Sequence, residues 1–377
     1  MDKKTPYYVF DFDKAKKRIE TIKSLLPSNA KLCYAIKANA FLLHGIKNED
    51  LLFEVCSEGE LEICKRLKVA PEKIVFSGVM KDFQMVKKAI EYGVKTITCE
   101  SISHLDHLIN ALGPTQSQEI ILRLTSGNQF GMCHEDIKKA IETIKSDKRI
   151  LLRGIHFFTG TNKKIKKIQE EVTFIQDYCS KLKDDLELEM KSIEYGPGFA
   201  FDYFCQDDFS NNLDDLKVFS QAISASTFNW TIELGRFIAS PCGEYYTKIC
   251  DIKNDSVNEI NYIIIDGGIN HINYYGQMMA MKVPPIEFIS SDGTERNEKI
   301  DYMLCGSLCT TADLITKKIT LPQAKIGDIL KFKNIGAYSI TEGIYLFLSH
   351  DLPAVYGKNS DNLVELRPIF ETNKLNA

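Results

Sequence analysis

No stretch of this chain approaches the roughly 18 to 20 apolar residues of a membrane-spanning helix. The opening "MDKKTPYYVF" also lacks the long apolar core of a secretory leader. Charge of one sign is missing as well: 47 basic and 51 acidic residues give a net charge of only -4. That balance leaves neither a nucleic-acid footprint nor a polybasic membrane anchor. Cysteine pairing signals are absent too. The 11 cysteines are scattered and odd in number, and Cys33, Cys56 and Cys99 sit inside apolar runs, which reads as free thiols in a reducing compartment. There is no low-complexity tract, and no repeat beyond an alternation of strand-like and helix-like segments. These absences point to a cytoplasmic protein with a small-molecule partner, no nucleic acid and no membrane.

What is present is a rhythm. Eight short β-rich runs recur: "KLCYAI" from 31, "LLFEVC" from 51, "KIVFSG" from 73, "KTITCE" from 95, "EIILRL" from 119, "LLRGIHF" from 151, "SIEYG" from 192 and "WTIEL" from 230. Between the first several lie charged segments such as "EGELEICKRLKV" and "KDFQMVKKAIEYG", with apolar residues every three or four positions. Strand, helix, strand at this spacing means parallel pairing through right-handed crossovers, and eight such units make an α/β fold of the (β/α)8 TIM-barrel type. After about residue 240 the strands "GEYYTKICDIK", "NYIIIDGG" and "DILKFKNIGAY" are separated by turns, which predicts a β-rich C-terminal domain. The expected division is a barrel over 13–240 and a β-rich domain over 241–377, completed by an N-terminal strand within 1–12. The 377 residues suffice for both.

One feature of the first run is physically awkward. "KLCYAIKANA" drives an apolar strand into Lys37, although an unpaired buried charge is among the costliest things a protein can hold. Either Lys37 marks the exposed end of the strand, or its amine is meant to lose its charge and form an imine with an aldehyde. Residues just after the strands of a barrel face its mouth. Here they are Lys37, Glu54 to Glu58, Ser77, Gly78, Glu100, Arg123, His156, Phe158, Thr161, "YGPGF" at 195–199 and "ELGRF" at 233–237. Gly196, Gly198 and Gly235 would let backbone N–H groups approach an anion, and Arg236 adds a charged fork. An imine-forming lysine, a phosphate cradle and a carboxylate at Glu233 for a pyridine nitrogen together describe pyridoxal 5'-phosphate.

The motifs "YAIKAN", "EVCSEGEL", "ELGR", "IDGGINH", "CGSLCTTAD" and "GDILKFKNIGAYS" occur in this order along nearly the whole chain. The set resembles that of the alanine racemase-fold (fold type III) pyridoxal-phosphate decarboxylases, the group of diaminopimelate and ornithine decarboxylases. The resemblance implies a cofactor-binding barrel with a C-terminal β-domain, assembled as a head-to-tail homodimer with shared sites. It assigns the covalent link to Lys37 and the pyridinium partner to Glu233. Gly198, Gly235, Arg236 and Tyr338 would hold the phosphate. Cys309 would enter from the partner subunit and help protonate the product, and Asp313 closes the same motif. An acid at Glu233 favours a protonated ring, the electron sink that decarboxylation needs.

Two departures bear on substrate. The family's His-x-His-x-Gly-Ser is here "HFFTGT", so Phe158 takes the place of the ring-stacking histidine and Thr161 that of the serine. A phenyl ring still stacks, but it neither donates a hydrogen bond nor carries charge. A subgroup with this change resembles decarboxylases acting on carrier-linked glutamyl groups or on siderophore precursors. Relatives that take diamino acids place an acid directly after the cysteine, where this chain has Thr310, and "GGINHINYYGQ" offers Asn273, Tyr274 and Tyr275 where another acid is usual. A buried distal ammonium without its carboxylate costs on the order of several kcal/mol. Lysine, ornithine and meso-diaminopimelate are therefore not the expected substrates. Arg123 would meet an acidic substrate or form a structural ion pair, and Gln129 replaces the lysine of the family's "KFG".

The remaining candidates have plain readings. His104 and His107 are three apart on what reads as a surface helix without further ligands, and Cys305 and Cys309 lack a second pair, so no metal is expected. His156 reads as a barrel-interior residue and His271 as a structural polar one. Met278, Met279 and Met281 read as packing or a pocket edge. Two other functions stay open: a conventional diaminopimelate or basic amino acid decarboxylase, and a catalytically silent relative regulating a true enzyme.

Overall fold

An N-terminal strand, β1 (Tyr7–Asp11), is followed by the eight strands β2 (Ala30–Ala35), β3 (Leu52–Val55), β4 (Ile74–Phe76), β5 (Thr96–Cys99), β6 (Gln118–Arg123), β7 (Ile150–Phe158), β8 (Ser192–Gly196) and β9 (Asn229–Leu234). Each of the eight pairs in parallel with its neighbours, and β9 pairs back with β2 to close a barrel. All eight runs read from the sequence are strands of this barrel. The computed structural model describes residues 3–188, 190–205, 213–274, 276–277 and 280–377. The chain forms two units: the barrel, from the described residues within 17–201 and 212–237, and a β-rich unit from those within 1–16, 202–211 and 238–377.

In the barrel, β4 and β5 are buried at every residue, as parallel strands covered on both faces must be. The return helices start close behind the strands. Ser57, Asp82 and Ser101 accept hydrogen bonds from the N–H groups of Glu60, Met85 and His104 at 3.2, 2.9 and 3.1 Å. Each satisfies a donor that the first helical turn would otherwise leave bare. The helices Glu58–Arg66, Phe83–Tyr92 and Ile102–Ala111 are thereby fixed, with the intervening loops held at one end of the barrel.

The β-rich unit contains β10 (Gly243–Asp255), β11 (Ile260–Ile265), β12 (Ile286–Ile289), β13 (Lys299–Cys305), β14 (Leu314–Pro322), β15 (Ile329–Phe332), β16 (Ala354–Asn359) and β17 (Asn362–Arg367). The strand order is β14-β13-β11-β10-β1-β16-β17, with β15 on β10 and β12 on β15. β1 lies antiparallel to β10 and parallel to β16, and the rings of Tyr7 and Tyr246 stack 4.7 Å apart across the first of these pairings. Cys309 sits in the turn between β13 and β14. Among the described residues no helix is long and apolar enough to cross a membrane, and all 11 cysteines are free thiols.

Candidate active site

Strand β2 buries Leu32 to Ala35 and then breaks into the single turn Ile36–Ala38, whose flanking residues are buried while the Lys37 side chain stays 42 % exposed. Lys37 Nζ lies 2.8 Å from Oε2 of Glu54 at the end of β3, and 3.6 Å from Sγ of Cys56. The strand thus ends against a carboxylate that is itself buried and needs a cation. Burial works against the charged amine, but Glu54, Cys56 and Glu233 outweigh it and hold its pKa well above the ordinary lysine value. Water reaches the side chain from the mouth, so this is not a sealed ion pair.

Deeper in the barrel, β7, β8 and β9 each contribute one ionisable group. His156, Glu194 and Glu233 are all buried, and one ligating atom from each lies within 4.8 Å of the others. His156 Nε2 is 3.3 Å from Glu233 Oε2, whereas Glu233 Oε1 has no hydrogen-bond partner among the described residues. Burial alone would raise the Glu233 pKa. His156, a hydrogen bond from Glu194 and the charge of Lys37 prevail and hold this carboxyl well below the usual carboxylate range.

The turns after β7 and β8 run side by side, with Lys163 N–H donating to the Gly198 carbonyl at 2.9 Å. Gly198 has φ +60, and a Cβ there would collide with the Gly160 carbonyl. At Gly196 a Cβ would stand 2.5 Å from Cδ2 of Phe158, so the phenyl ring occupies the room that glycine leaves. Gly235 follows β9, and Arg236 opens the short helix Arg236–Ala239.

Behind Phe158 lies a buried cluster on "NKKIKKIQEE", a lysine-rich segment that reads from sequence as a solvated helix face, whereas Lys163 and Glu171 are 9 % and 4 % exposed. Lys163 Nζ contacts Glu171 Oε2 at 2.5 Å and donates to Thr159 Oγ1 at 3.0 Å. Glu171 also accepts from Thr159 Oγ1 and from Tyr195 Oη, both at 2.7 Å. Burial lowers the pKa of the Lys163 amine. Burial would raise that of Glu171, but donation from Lys163, Thr159 and Tyr195 wins, and it falls below the usual 4.5. The two shifts pull opposite ways on the pair, and with three donors on it the ionised carboxylate sets the acid stability. The pair's contribution is therefore complete above pH 4.5 and is lost as pH falls through the lower folded-state value. Lys163→Met strands Glu171 and should cost about 3 to 5 kcal/mol, read as a lower urea midpoint at neutral pH that narrows toward acid.

Arg123, at the end of β6, places Nη1 2.8 Å from Oε1 of buried Glu100, and the Phe130 ring covers the guanidinium at 4.9 Å. The structural ion pair is thus present in the fold. Lys81, also buried, donates to the Gly78 carbonyl; burial lowers its pKa, with Glu100 opposing. His104 is buried rather than on a surface face. Its Nδ1 accepts from the Glu100 N–H at 3.3 Å, and burial takes its pKa down to about 4, which makes it a neutral structural histidine. Ser77 and Thr98 tie β4 to β5 through hydroxyls 3.0 Å apart.

The family described as "Pyridoxal-dependent decarboxylase, pyridoxal binding domain" matches residues 12–240. The chain belongs to this family. Relatives include the 2-[(L-alanin-3-ylcarbamoyl)methyl]-2-hydroxybutanedioate decarboxylase of Staphylococcus aureus, 29 % identical with 92 % of each chain covered. The L-glutamyl-[BtrI acyl-carrier protein] decarboxylase of Niallia circulans is 25 % identical, covering 93 % of this chain and 87 % of that one. The diaminopimelate decarboxylase of M. jannaschii, solved with L-lysine, superposes with a TM-score of 0.84 at 22 % identity over 99 % of this chain and 91 % of that one, a likeness of fold. The protein is a pyridoxal-phosphate-dependent decarboxylase.

The barrel of this decarboxylase suits its cofactor. Glu233 Oε1 is a buried acceptor with no partner among the described residues, the place for a ring N–H, and the Gly196 to Gly198 turn has the bare backbone an oxyanion needs.

In the β-rich unit, Cys309 and Thr310 are exposed on the β13 to β14 turn. Asp313, which closes the motif of Cys309, is buried with both oxygens in use: Oδ1 accepts from Ile269 N–H at 2.8 Å and Oδ2 from Leu308 N–H at 2.7 Å. Its work is to pin the turn that carries Cys309. Tyr338 is half-buried with a left-handed φ of +66, and its carbonyl accepts from Glu342 N–H at 2.9 Å. His271 is a neutral structural residue: burial lowers its pKa to about 3, and Nδ1 meets Tyr245 Oη at 2.8 Å. Tyr275, Met278 and Met279 lie outside the described residues, and Met281 is 65 % exposed.

The reading of the sequence assigned no role to Glu54, Glu194 or Lys81. A signal was there for the first two: "LFEV" and "SIEYG" each place an acid within an apolar strand, the same anomaly as Lys37.

Proposed function

We propose that this decarboxylase removes the α-carboxylate of an amino acid carried in amide or carrier linkage, a siderophore precursor or similar intermediate, rather than of a free diamino acid. The observation that carries the site is the placement of Lys37 Nζ 2.8 Å from Glu54 in a barrel whose Glu233 presents an unpartnered oxygen. Two similar relatives have names that describe an alanine unit on a carbamoyl link and a glutamyl group on a carrier protein. Thr310, in place of an acid, supports the same class, since it offers a distal ammonium no charge.

The bound cofactor supplies a ring that accepts the electron pair left on Cα when the carboxylate departs. Lys37 is the amine that links to it. Glu54 pairs with that amine in its charged form and would hold Nζ in place until the cofactor arrives. Glu233, kept ionised by His156, would hold the ring nitrogen, and Phe158 would supply an apolar face for the ring. Gly196, Gly198, Gly235 and Arg236 would hold the phosphate, and the resemblance assigns Tyr338 to the same task. Cys309 delivers a proton to Cα from the partner subunit of a cytoplasmic homodimer. Exposure of Cys309 supports the shared site, and a row of exposed apolar residues, Ile344, Leu346, Phe347 and Leu348, supports a face that a second chain covers.

Carbon dioxide release measured across a panel tests the substrate class. Amide-linked and carrier-linked amino acids should exceed free lysine, ornithine and meso-diaminopimelate by at least about 100-fold in kcat/KM, the equivalent of several kcal/mol of unpaired ammonium. Rapid turnover of meso-diaminopimelate would reverse the assignment in favour of a diaminopimelate decarboxylase.

A further inference from the structure

Three carboxylates, Glu54, Glu194 and Glu233, and two groups able to be cations, Lys37 and His156, face one another inside the barrel. Lys37 is committed to Glu54 at 2.8 Å and His156 to Glu233 at 3.3 Å. Glu194 is left over. It is 1 % exposed on β8, level in register with His156 on β7, and its Oε1 has no hydrogen-bond partner among the described residues. The acids that act on it are Glu233 on β9 and Glu54 on β3, and Cys33 on β2 completes the ring of neighbours with a thiol that burial keeps protonated. An excess buried negative charge costs far more than a bound proton.

We infer that Glu194 is a neutral carboxylic acid whose O–H donates to the Glu233 carboxylate, holding that carboxylate ionised and aimed along the barrel. Glu194 is then a positioning residue: it touches neither substrate nor cofactor and acts through Glu233. The geometry places its carboxyl beside its partner, in a buried cluster where one oxygen each of Glu194 and Glu233 and a ring nitrogen of His156 lie within 4.8 Å of one another. The direction of its titration agrees, because burial first and the Glu233 charge second hold its pKa well above the ordinary value. The two carboxyls share one proton, and the proton rests on the acid without a cation. The functional consequence, though not the protonation itself, rests on the proposed role of Glu233.

Infrared difference spectroscopy of the cofactor-free protein tests the protonation. Wild type minus Glu194→Gln should show the carbonyl stretch of a buried carboxylic acid at pH 7, and the wild-type band should persist as pH is raised past neutrality. No such band in wild type, or one that survives unchanged in E194Q, overturns the inference. Should E194Q fail to fold, the wild-type pH series decides alone, and loss of the band below neutral pH refutes a neutral Glu194. Bound cofactor tests the consequence through its visible absorbance. E194Q, which keeps an N–H donor, should match wild type. Glu194→Leu should shift the pH midpoint of the spectrum by at least about one unit, as the Glu233 carboxyl loses its donor. A band present at Glu194 together with a spectrum indifferent to E194L would leave the acid neutral and overturn instead the placement of Glu233 at the ring.

Discussion

Lys37→Ala lowers turnover by on the order of 1000-fold or more, since it removes the amine that would link the cofactor. It also abolishes the visible absorbance that purified wild-type protein shows with its cofactor. The effect should come without loss of fold. Glu54, its side chain only 5 % exposed, loses its cation, but the 42 % exposed lysine leaves an opening through which water reaches the carboxylate, so the cost is a lower stability rather than an unfolded chain. A structural lysine at a strand end would give the opposite pattern, a small drop in stability and an unchanged spectrum. Mixing the K37A chain with a Cys309→Ala chain extends the test to the assembly. If each site takes its lysine from one subunit and its cysteine from the other, half the dimers formed at random carry one intact site, and activity returns to about a quarter of wild type. No recovery would count against a shared site and leave the single-chain result standing.

The barrel was legible because its signal is local. Each strand is a short apolar run, three of the return helices carry a side-chain cap, and Ser57, Asp82 and Ser101 stand in the sequence where the first turn needs them. Lys37 and Glu233 stand out as candidates for a related reason: charge at the end of a buried run is anomalous, and the strand ends β2 and β9 that carry them are neighbours. Partnership between residues was harder to read. Glu171 lies in the helix Ile165–Asp185 with an ordinary helical spacing, and nothing in "KKIKKIQEE" says that this one acid turns inward to Lys163, Thr159 and Tyr195. His104 failed differently. Its spacing to His107 puts both near one stripe of a helix, but the stripe containing His104 faces β5, so it is buried where a surface residue was expected. Asp313 shows the limit of a motif. The acid stands in its expected place in "CGSLCTTAD", yet backbone N–H groups take both its oxygens, a use no pattern of side chains announces.

Glu233→Gln isolates charge from shape, and it should lower kcat by about 100- to 1000-fold, the loss typical when a group stabilising developing charge is removed. Glutamine fills the same volume, and its amide oxygen still faces His156, so the barrel keeps its packing. What disappears is the negative charge next to the unpartnered position now occupied by Oε1. Cofactor affinity should change far less than kcat, because the covalent link at Lys37 and the glycine turns do not depend on Glu233. The pH dependence separates this account from a simple loss of fit. Burial opposes ionisation of Glu233, but His156 and the other neighbours prevail, so the group is a carboxylate throughout the range from weak acid to neutrality. Its titration therefore cannot shape the wild-type profile between about pH 5 and 8, and E233Q should lower that profile by a constant factor across the window. A deficit that closed toward low pH would mean that wild-type Glu233 protonates there and that its neighbours do not hold it ionised. Unchanged kcat at every pH would remove Glu233 from the chemistry altogether.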